Sequence, residues 1–229
     1  MAQGQQERLR GIIDYPKHFI PVVGEPIAYR TVRLIRQIAR TAKIWAVCPQ
    51  PSKTDFHWKS LAHYVGVELL HPTNPGLCIL DGIRNTRDLW SQNDRTVILM
   101  ADTIFSRAAL GAILADQKPL RFAGSYTTAG GIVELFSLSF APECQADVRH
   151  WLDEVPCHKE RHAGVPDFQA GHLRNLLHVA TGDKWRQPLT WYQPPECFLP
   201  ITDWTKDIDT VEDIGRIPWI EWKIKEEEG

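Results

Sequence analysis

The sequence predicts a three-layer α/β fold of α/β/α type, with a mixed and mostly parallel central sheet. Short apolar runs alternate with amphipathic helical patterns through the first two thirds of the chain, and the apolar run over residues 96–101 ends directly before an acidic residue. Strands that alternate with helices of this length indicate βαβ units, whose strands pair in parallel. The chain has 229 residues, of which 43% are hydrophobic, so we expect one large domain over residues 1–229.

The first half of the chain supplies most of this alternation. Residues 26–40 place apolar side chains at helical spacing with arginines between them, and Pro26 in the first turn is typical of a helix start. A strand over residues 43–48 follows, and Pro49 ends it. The other predicted elements of this half are the end of a helix at 61–64, strands at 67–70 and 96–101, and helices at 76–90 and 106–115.

The pattern changes after residue 118, where a polar, glycine-containing loop separates two predicted strands. We therefore expect a looser α+β part that inserts into the sheet and covers a cleft. The stretch over residues 182–205 is rich in proline and tryptophan and permits no assignment. The predicted elements of this part are strands at 119–124 and 131–138 and helices at 143–154 and 168–181.

The C-terminal residues suggest two further features. Residues 219–224 alternate between apolar and polar side chains as an edge strand does, and such a strand offers a contact for a homodimer. The acidic tail, residues 225–229, is expected to be a solvated and frayed end.

Composition narrows the class of function. The formal net charge is −2, so there is no basic excess to bind a phosphate backbone, and we expect no nucleic-acid partner. No apolar stretch approaches the roughly 20 residues that span a bilayer, and no signal peptide is evident, so no membrane partner is expected. The five cysteines are odd in number and scattered, which favours a reducing, cytoplasmic location.

Two aspartates are the best candidates for a metal site. Asp102 follows a predicted buried strand, and the carboxyl ends of strands are where open α/β folds bind ligands. Asp209 comes about a hundred residues later, and hard oxygen ligands from distant segments suit Mg²⁺ that bridges nucleotide phosphates. The alternative is that Asp102 only caps the helix near Ser106, and that Asp209 and Asp213 only mark a helix start.

The N-terminal segment resembles the opening of the nucleotidyltransferases that make nucleotide sugars, CDP-alcohols and related compounds. These proteins begin with a strand, a Gly-x-Gly-x-Arg loop and the motif Pro-Lys-x-x-x-Pro-Val-x-Gly-x-Pro. The strand before Asp102 is similar to the family's strand that ends in its first metal aspartate. Residues 207–214 resemble its closing Asp-Thr-Pro-Glu-Asp-Leu segment, with Val211 in place of the proline. The residues that match the opening motif are Pro16, Lys17, Pro21, Val22, Gly24 and Pro26.

The resemblance implies a GT-A-like fold and attack by a phosphate oxygen on the α-phosphorus of a nucleoside triphosphate, with release of pyrophosphate. The acceptor would be a phosphorylated sugar or alcohol. Asp102 and Asp209 would hold Mg²⁺, and Asp207 would be a second-shell or alternative ligand. Lys17 would bind the α-phosphate, and Arg8 the β- and γ-phosphates.

The same resemblance assigns nucleotide contacts and divides the chain. Residues 1–118 would form the nucleotide-binding half, residues 119–205 the acceptor-binding or lid half, and residues 206–229 the metal-ligand segment and tail. The nucleotide-binding residues that it implies are Gly4, Gln5, Gln6, Arg8, Lys17, Asn74 and Gly76.

The loop over residues 4–8 departs from the family pattern. Gln6 stands where the second glycine is expected, and Glu7 lies beside the expected phosphates. Backbone N–H groups still bind phosphate there if Gln6 tolerates the turn. Only three residues precede Gly4, where the family has a buried strand. We therefore expect that the sequence begins after its true start or that another segment fills that position.

Two other functions remain open at the level of sequence. A glycosyltransferase of the same fold would use a nucleotide sugar and an Asp-x-Asp metal motif. Asp207 and Asp209 have that spacing, but they come late in the chain for that role. A non-catalytic relative would bind a nucleotide as a sensor or scaffold, and Gln6 and Glu7 favour this alternative. Release of pyrophosphate distinguishes nucleotidyl transfer from both.

Overall fold

A computed structural model describes residues 16–48, 55–71, 79–127, 131–155, 172–182 and 194–229, and the structural statements below refer to these residues. The N-terminal half holds strands β1 (Pro21–Val22), β2 (Glu25–Pro26), β3 (Trp45–Val47), β4 (Glu68–Leu70), β5 (Thr96–Leu99) and β6 (Thr103–Ile104). Its helices are α1 (Ile27–Ile38), α2 (Asp55–Val65), α3 (Ile79–Arg84) and α4 (Arg107–Ala115).

Within the described ranges, the C-terminal half holds four strands and four helices. Its strands are β7 (Leu120–Thr127), β8 (Gly131–Phe140), β9 (Phe198–Ile201) and β10 (Lys206–Asp207). Its helices are α5 (Gln145–Glu154), α6 (Leu173–Ala180), α7 (Val211–Gly215) and α8 (Ile217–Glu228). None of the helices in the described ranges combines the length and the apolar character that a bilayer crossing requires.

The largest described sheet is mixed, as the sequence predicts. Its strand order is β5-β8-β7-β9, with antiparallel pairing of β8 to β5 and β7 and parallel pairing of β7 to β9. Strands β3 and β4 pair in parallel beside α2, as a βαβ unit requires. An added side chain at Gly124 would collide with the carbonyl oxygen of Glu134, so the close approach of β7 and β8 at their bulge requires glycine there.

Helices cover both faces of this sheet, because successive strand residues point to opposite sides. Phe122 and Leu138 belong to a core with buried residues of α3, α5 and α6. Ala123 and Phe136 belong to a second core, which includes buried residues of α1 and α4. The predicted three-layer α/β fold is therefore confirmed, and the carboxyl end of β5 lies at the edge where we expect a site.

Two expectations about the C-terminus are wrong. Residues 219–224 are part of α8 and not an edge strand, because Pro218 starts a helix and Ile220 and Ile224, four residues apart, bury the same helix face. The acidic tail is exposed, as expected, but it is helical to Glu228 and not frayed, and the Glu228 carboxylate pairs with the buried Arg30. The edge-strand contact that suggested a homodimer is therefore absent from this segment.

The predicted helix over residues 76–90 is also shorter within the described part of the chain. Helix α3 ends at Arg84, and a separate 3-10 turn follows over Arg87–Leu89. The Thr86 hydroxyl donates to the carbonyl of Ile83, a local bond of the kind that competes with helix propagation.

Candidate active site

Strand pairing brings the aspartates of the candidate site together. Asp102 immediately precedes β6, and antiparallel pairing of β6 with β10 places Asp207 opposite Thr103. The Ile208 N–H donates to the Asp102 carbonyl over 3.2 Å, which extends this pairing by one residue. Because Asp207 and Asp209 are two residues apart on an extended segment, their side chains share one face. Three carboxylates from two distant segments therefore meet.

The amine of Lys17 lies among these acids. Lys17 starts a 3-10 turn over Lys17–Phe19, and its ammonium forms ion pairs with Asp102 and, over 2.5 Å, with Asp209. The side chains of Lys17 and Asp102 are 17% and 20% exposed, whereas that of Asp209 is 48% exposed, so the group faces solvent on one side. Burial alone would lower the pKa of Lys17, but the carboxylates of Asp102, Asp207 and Asp209 outweigh it and raise the pKa.

Asp207 is the least satisfied member of the group. Burial, and then the negative charge of Asp102, raise the pKa of its carboxyl group well above the usual range, although Lys17 opposes this shift. Its Oδ1 is shielded from solvent and has no hydrogen-bond partner among the described residues. Shielded oxygens of this kind are rare in folded proteins, and binding of an ion is one of the explanations for them.

A divalent cation fits this arrangement. Each of Asp102, Asp207 and Asp209 offers a carboxylate oxygen, and the three oxygens lie within 4.8 Å of one another. Three acids face one ammonium, so negative charge is in excess. The donors are hard oxygens, which Mg²⁺ prefers. The Oδ1 of Asp207, which has no hydrogen-bond partner among the described residues, is available as a ligand atom.

The carboxylate of Asp213, outside this acidic group, fixes the backbone that carries Asp209. Thr210 caps α7 in a capping box with Asp213. The Asp213 carboxylate accepts hydrogen bonds from the Asp209 N–H over 3.1 Å and from the Thr210 N–H and hydroxyl, each over 2.9 Å. Burial alone would raise the pKa of Asp213, but these hydrogen bonds, together with Lys206, hold it below the usual range.

The residue after Lys17 is a buried histidine that carries no charge near neutral pH. Burial, and then the positive charge of Lys17, lower the pKa of His18 to about 3. Its ring packs at 4.7 Å from the ring of Trp58, centroid to centroid. His18 therefore anchors the lysine turn in an aromatic cluster without adding positive charge beside the ammonium.

The structure brings together three of the residues singled out from the sequence: Lys17, Asp102 and Asp209. The capping alternative is wrong for Asp102, because the Ser106 side chain caps α4. Asp213 does mark a helix start, as a member of the capping box of α7, and Asp209 directly precedes the N-cap residue Thr210. The predicted residues that lie outside the described ranges are Gly4, Gln5, Gln6, Arg8, Asn74 and Gly76.

From the sequence, Asp207 is expected to be only an indirect or alternative ligand, yet its carboxylate lies within the acidic group of Asp102, Asp207 and Asp209. The Asp-x-Asp spacing of Asp207 and Asp209 is the signal that identifies it, because residues two apart on a strand share a face. That signal has its full meaning only once residues 207–209 are known to be extended.

Comparison with known proteins identifies the family. Residues 1–210 match the profile of the MobA-like NTP transferase domain, so the chain belongs to that family. No curated protein sequence matches it significantly. The family match confirms the resemblance to nucleotidyltransferases, and it favours nucleotidyl transfer over glycosyl transfer or non-catalytic nucleotide binding.

Solved structures show the same fold. The inositol-1-phosphate CTP transferase from T. maritima has a TM-score of 0.58 and 14% identity, covering 98% of this chain and 94% of that chain. An apo UDP-glucose pyrophosphorylase has a TM-score of 0.63 and 13% identity, with coverage of 98% and 97%. A CMP:2-keto-3-deoxy-manno-octonic acid synthetase complexed with CTP has a TM-score of 0.59 and 12% identity, with coverage of 97% and 96%. At these identities the likeness shows the fold alone.

Proposed function

We propose that this protein transfers a nucleotidyl group from a nucleoside triphosphate to a phosphorylated sugar or alcohol and releases pyrophosphate. The observation that carries the proposal is the contact of the Lys17 amine with both Asp102 and Asp209 in a chain of the NTP transferase family. The name of one structural relative refers to inositol 1-phosphate, a phosphorylated alcohol, and that of another refers to UDP-glucose, a nucleotide sugar, so the two names support this class of acceptor and product.

The acidic group would hold Mg²⁺ through Asp102 and Asp209, with Asp207 as a third ligand. When bound, Mg²⁺ would neutralise negative charge between the nucleotide and the acceptor phosphate. Asp207 would take part as a carboxylate, although its pKa is raised, because a nearby cation favours the charged form. The orphaned Oδ1 of Asp207 supports this assignment.

Lys17 would act as a mobile positive charge. In the structure its ammonium neutralises part of the charge on Asp102 and Asp209. On nucleotide binding it would exchange these partners for the α-phosphate, and its flexible stem permits the movement. The attacking oxygen belongs to a phosphate that is largely ionised near pH 7, so the reaction needs no general base from the protein. Positioning and charge stabilisation remain as the protein's contribution.

The remaining assignments complete the proposal. Arg8 would bind the β- and γ-phosphates, and the loop with Gly4, Gln5 and Gln6 would follow them with its N–H groups. The turn at Asn74 and Gly76 would line the base pocket. Residues 1–118 would form the nucleotide half and residues 119–205 the acceptor half. A cytoplasmic location would suit the free thiols of Cys48, Cys144 and Cys197.

A two-stage experiment tests the proposal. Calorimetric titration of each nucleoside triphosphate with Mg²⁺ identifies the base, and a pyrophosphate-release assay over sugar and alcohol phosphates then identifies the acceptor. We expect pyrophosphate release that requires nucleotide, acceptor and divalent cation together. Nucleotide binding without release for every acceptor would show a sensor or scaffold instead. Release of a nucleoside diphosphate from a nucleotide sugar would show a glycosyltransferase.

A further inference from the structure

Helix α8 lies beyond the part of the chain that matches the family, which ends at residue 210, yet it shares a buried cluster or hydrogen bonds with the segments that carry Lys17, Asp102 and Asp209. Its Ile220 and Ile224 lie in one buried apolar cluster with residues that flank the site. The flanking members of this cluster are Ile20 and Val22 after Lys17, Ile104 after Asp102, and Ile208 between Asp207 and Asp209.

The last turn of α8 is tied to the segment after Asp102 through a buried arginine. The guanidinium of Arg30, which is 2% exposed, donates to the carbonyl of Phe105 over 2.5 Å and to the Glu228 carboxylate over 2.6 Å. A buried charge without a partner is costly, so Glu228 is what permits Arg30 to stay in this place. Arg30 in turn holds the backbone three residues beyond Asp102.

The first half of α8 is tied to the turn that follows Lys17. The Val23 N–H donates to the Glu221 carboxylate over 2.7 Å. Val23 has a φ of +53°, in the left-handed region that β-branched residues rarely adopt, and Gly24 follows with a φ of +73°. These two residues link β1 to β2, so Glu221 stabilises a strained turn close to Lys17.

We propose that α8 is a positioning element of the active site, in which Glu228 acts through Arg30 on the Asp102 segment and Glu221 acts through Val23 on the Lys17 segment. This inference rests on the proposed nucleotidyl transfer. Displacement of a reacting group by about 1 Å can lower a rate by up to about 100-fold. A helix that contacts both segments therefore controls the rate without touching the substrate.

The substitution Glu228→Gln tests the proposal, with Glu226→Gln as its matched control. Glu226 lies on the same helix and pairs only with Lys223 in the described structure, over 2.9 Å and with its side chain 57% exposed. We expect Glu228→Gln to lower kcat about tenfold while KM for the nucleotide stays within about twofold. Glu226→Gln should leave both constants unchanged. Equal constants for the two variants would overturn the proposal.

A second measurement distinguishes positioning from a loss of folded protein. In an Asp102→Ala background, Glu228→Gln should lower the residual rate no further, because the group whose segment it positions has been removed. The same fold-loss in both backgrounds would show a merely structural role and would overturn the proposal. If Glu228→Gln fails to fold, Glu221→Gln takes its place in both experiments, and a Lys17→Ala background then replaces Asp102→Ala, with the same expected outcomes.

Hydrogen–deuterium exchange separates this inference from the proposed function. The reporter is the Ile208 amide, which donates to the Asp102 carbonyl. We expect faster exchange at this amide in Glu228→Gln and unchanged exchange in Glu226→Gln. Unchanged exchange in both would overturn the role of α8. If the wild-type protein releases no pyrophosphate, the proposed function is wrong, and the exchange result still decides whether α8 positions the cluster.

Discussion

Lys17 and Lys206 each lie among carboxylates, but the two surroundings differ. Lys206 pairs with Glu134 and lies 3.6 Å from Asp213, whose oxygens also accept three hydrogen bonds from neighbouring residues. The acids around Lys17 include Asp207, whose Oδ1 has no such donor in the described part of the chain. In the Lys206 cluster the carboxylates are paired or hydrogen-bonded within the described structure, whereas the Lys17 cluster has capacity left for a ligand.

The difference shows how one short segment serves two purposes. Residues 206–213 contribute to both clusters, and the pKa of Asp213 is lowered whereas that of Asp207 is raised. Hydrogen bonds favour the charged form of Asp213, whereas burial next to Asp102 disfavours the charged form of Asp207. The charged form of Asp207 is destabilised, and nearby Asp213 stabilises the segment that carries it. This pattern is expected where a functional site lowers the stability of the fold.

The largest expected effect comes from removing the charges of the Lys17 cluster. Lys17→Ala or Asp102→Ala should lower the rate of pyrophosphate release by roughly 100-fold or more, in line with the loss of a key charge stabiliser. Steady-state kinetics measures this, with circular dichroism as the test of folding. Lys118→Ala is the control, because that exposed amine pairs with Glu196 elsewhere in the structure. Full activity in both site variants would reject the assignment.

A substitution in the Lys206 cluster should lower the stability of the protein more than its catalytic rate. Asp213→Asn removes a charged acceptor of three hydrogen bonds and half of a capping box, so we expect the free energy of unfolding to fall by about 1–2 kcal/mol. Urea unfolding measures the change. Glu212→Gln, an exposed neighbour in the same turn, should change stability by less than about 0.5 kcal/mol. A stability equal to that of wild type would show that the capping box is unimportant.

Asp207→Asn should raise the free energy of unfolding, in contrast to Asp213→Asn. It removes a destabilised negative charge beside Asp102, so without divalent cation the free energy of unfolding should rise by about 1 kcal/mol. The added stability that Mg²⁺ gives the wild-type protein should shrink in the variant, because a ligand is lost. Thermal unfolding with and without Mg²⁺ tests both parts. A less stable variant in the absence of cation would contradict the comparison.

The smallest expected effect is the pH dependence of the contribution that Asp213 makes to the free energy of unfolding. Its pKa in the folded protein is lowered below 3.8, so its contribution to stability is fully present above the unfolded value and disappears as the pH falls through the folded value. The stability difference between wild type and Asp213→Asn should therefore be constant near neutrality and should vanish in strong acid. Urea unfolding at several pH values measures it. A difference that grows on acidification would contradict this origin.

The sequence predicted the parts of the site that depend on local pattern. An apolar strand that ends at Asp102 and a distant acidic segment that carries Asp209 were enough to propose that the two meet, and the structure brings them together with Lys17. The catalytic and metal-binding roles of these residues stay predictions. The shielding of the Asp207 oxygen was not predictable, because it depends on how β6 and β10 pair.

The C-terminal helix shows why the rest of the fold was harder to predict. Over six residues, apolar alternation in 219–224 suits an edge strand, while the four-residue spacing of Ile220 and Ile224 suits a helix. Glu228 looked like part of a frayed tail because its partner, Arg30, is 198 residues away in the chain. Such long-range ion pairs leave no local signal in one sequence.

The most direct test of the central claim follows the α-phosphorus itself. Wild-type protein is incubated with Mg²⁺, a phosphorylated acceptor and the preferred nucleoside triphosphate labelled at the α-phosphate, beside Lys17→Ala and Lys118→Ala. The account predicts that the label moves into a nucleotide–acceptor product as pyrophosphate appears, at a normal rate in Lys118→Ala and about 100-fold more slowly in Lys17→Ala. Equal transfer by all three proteins, or no transfer by wild type with any acceptor tested, would contradict it.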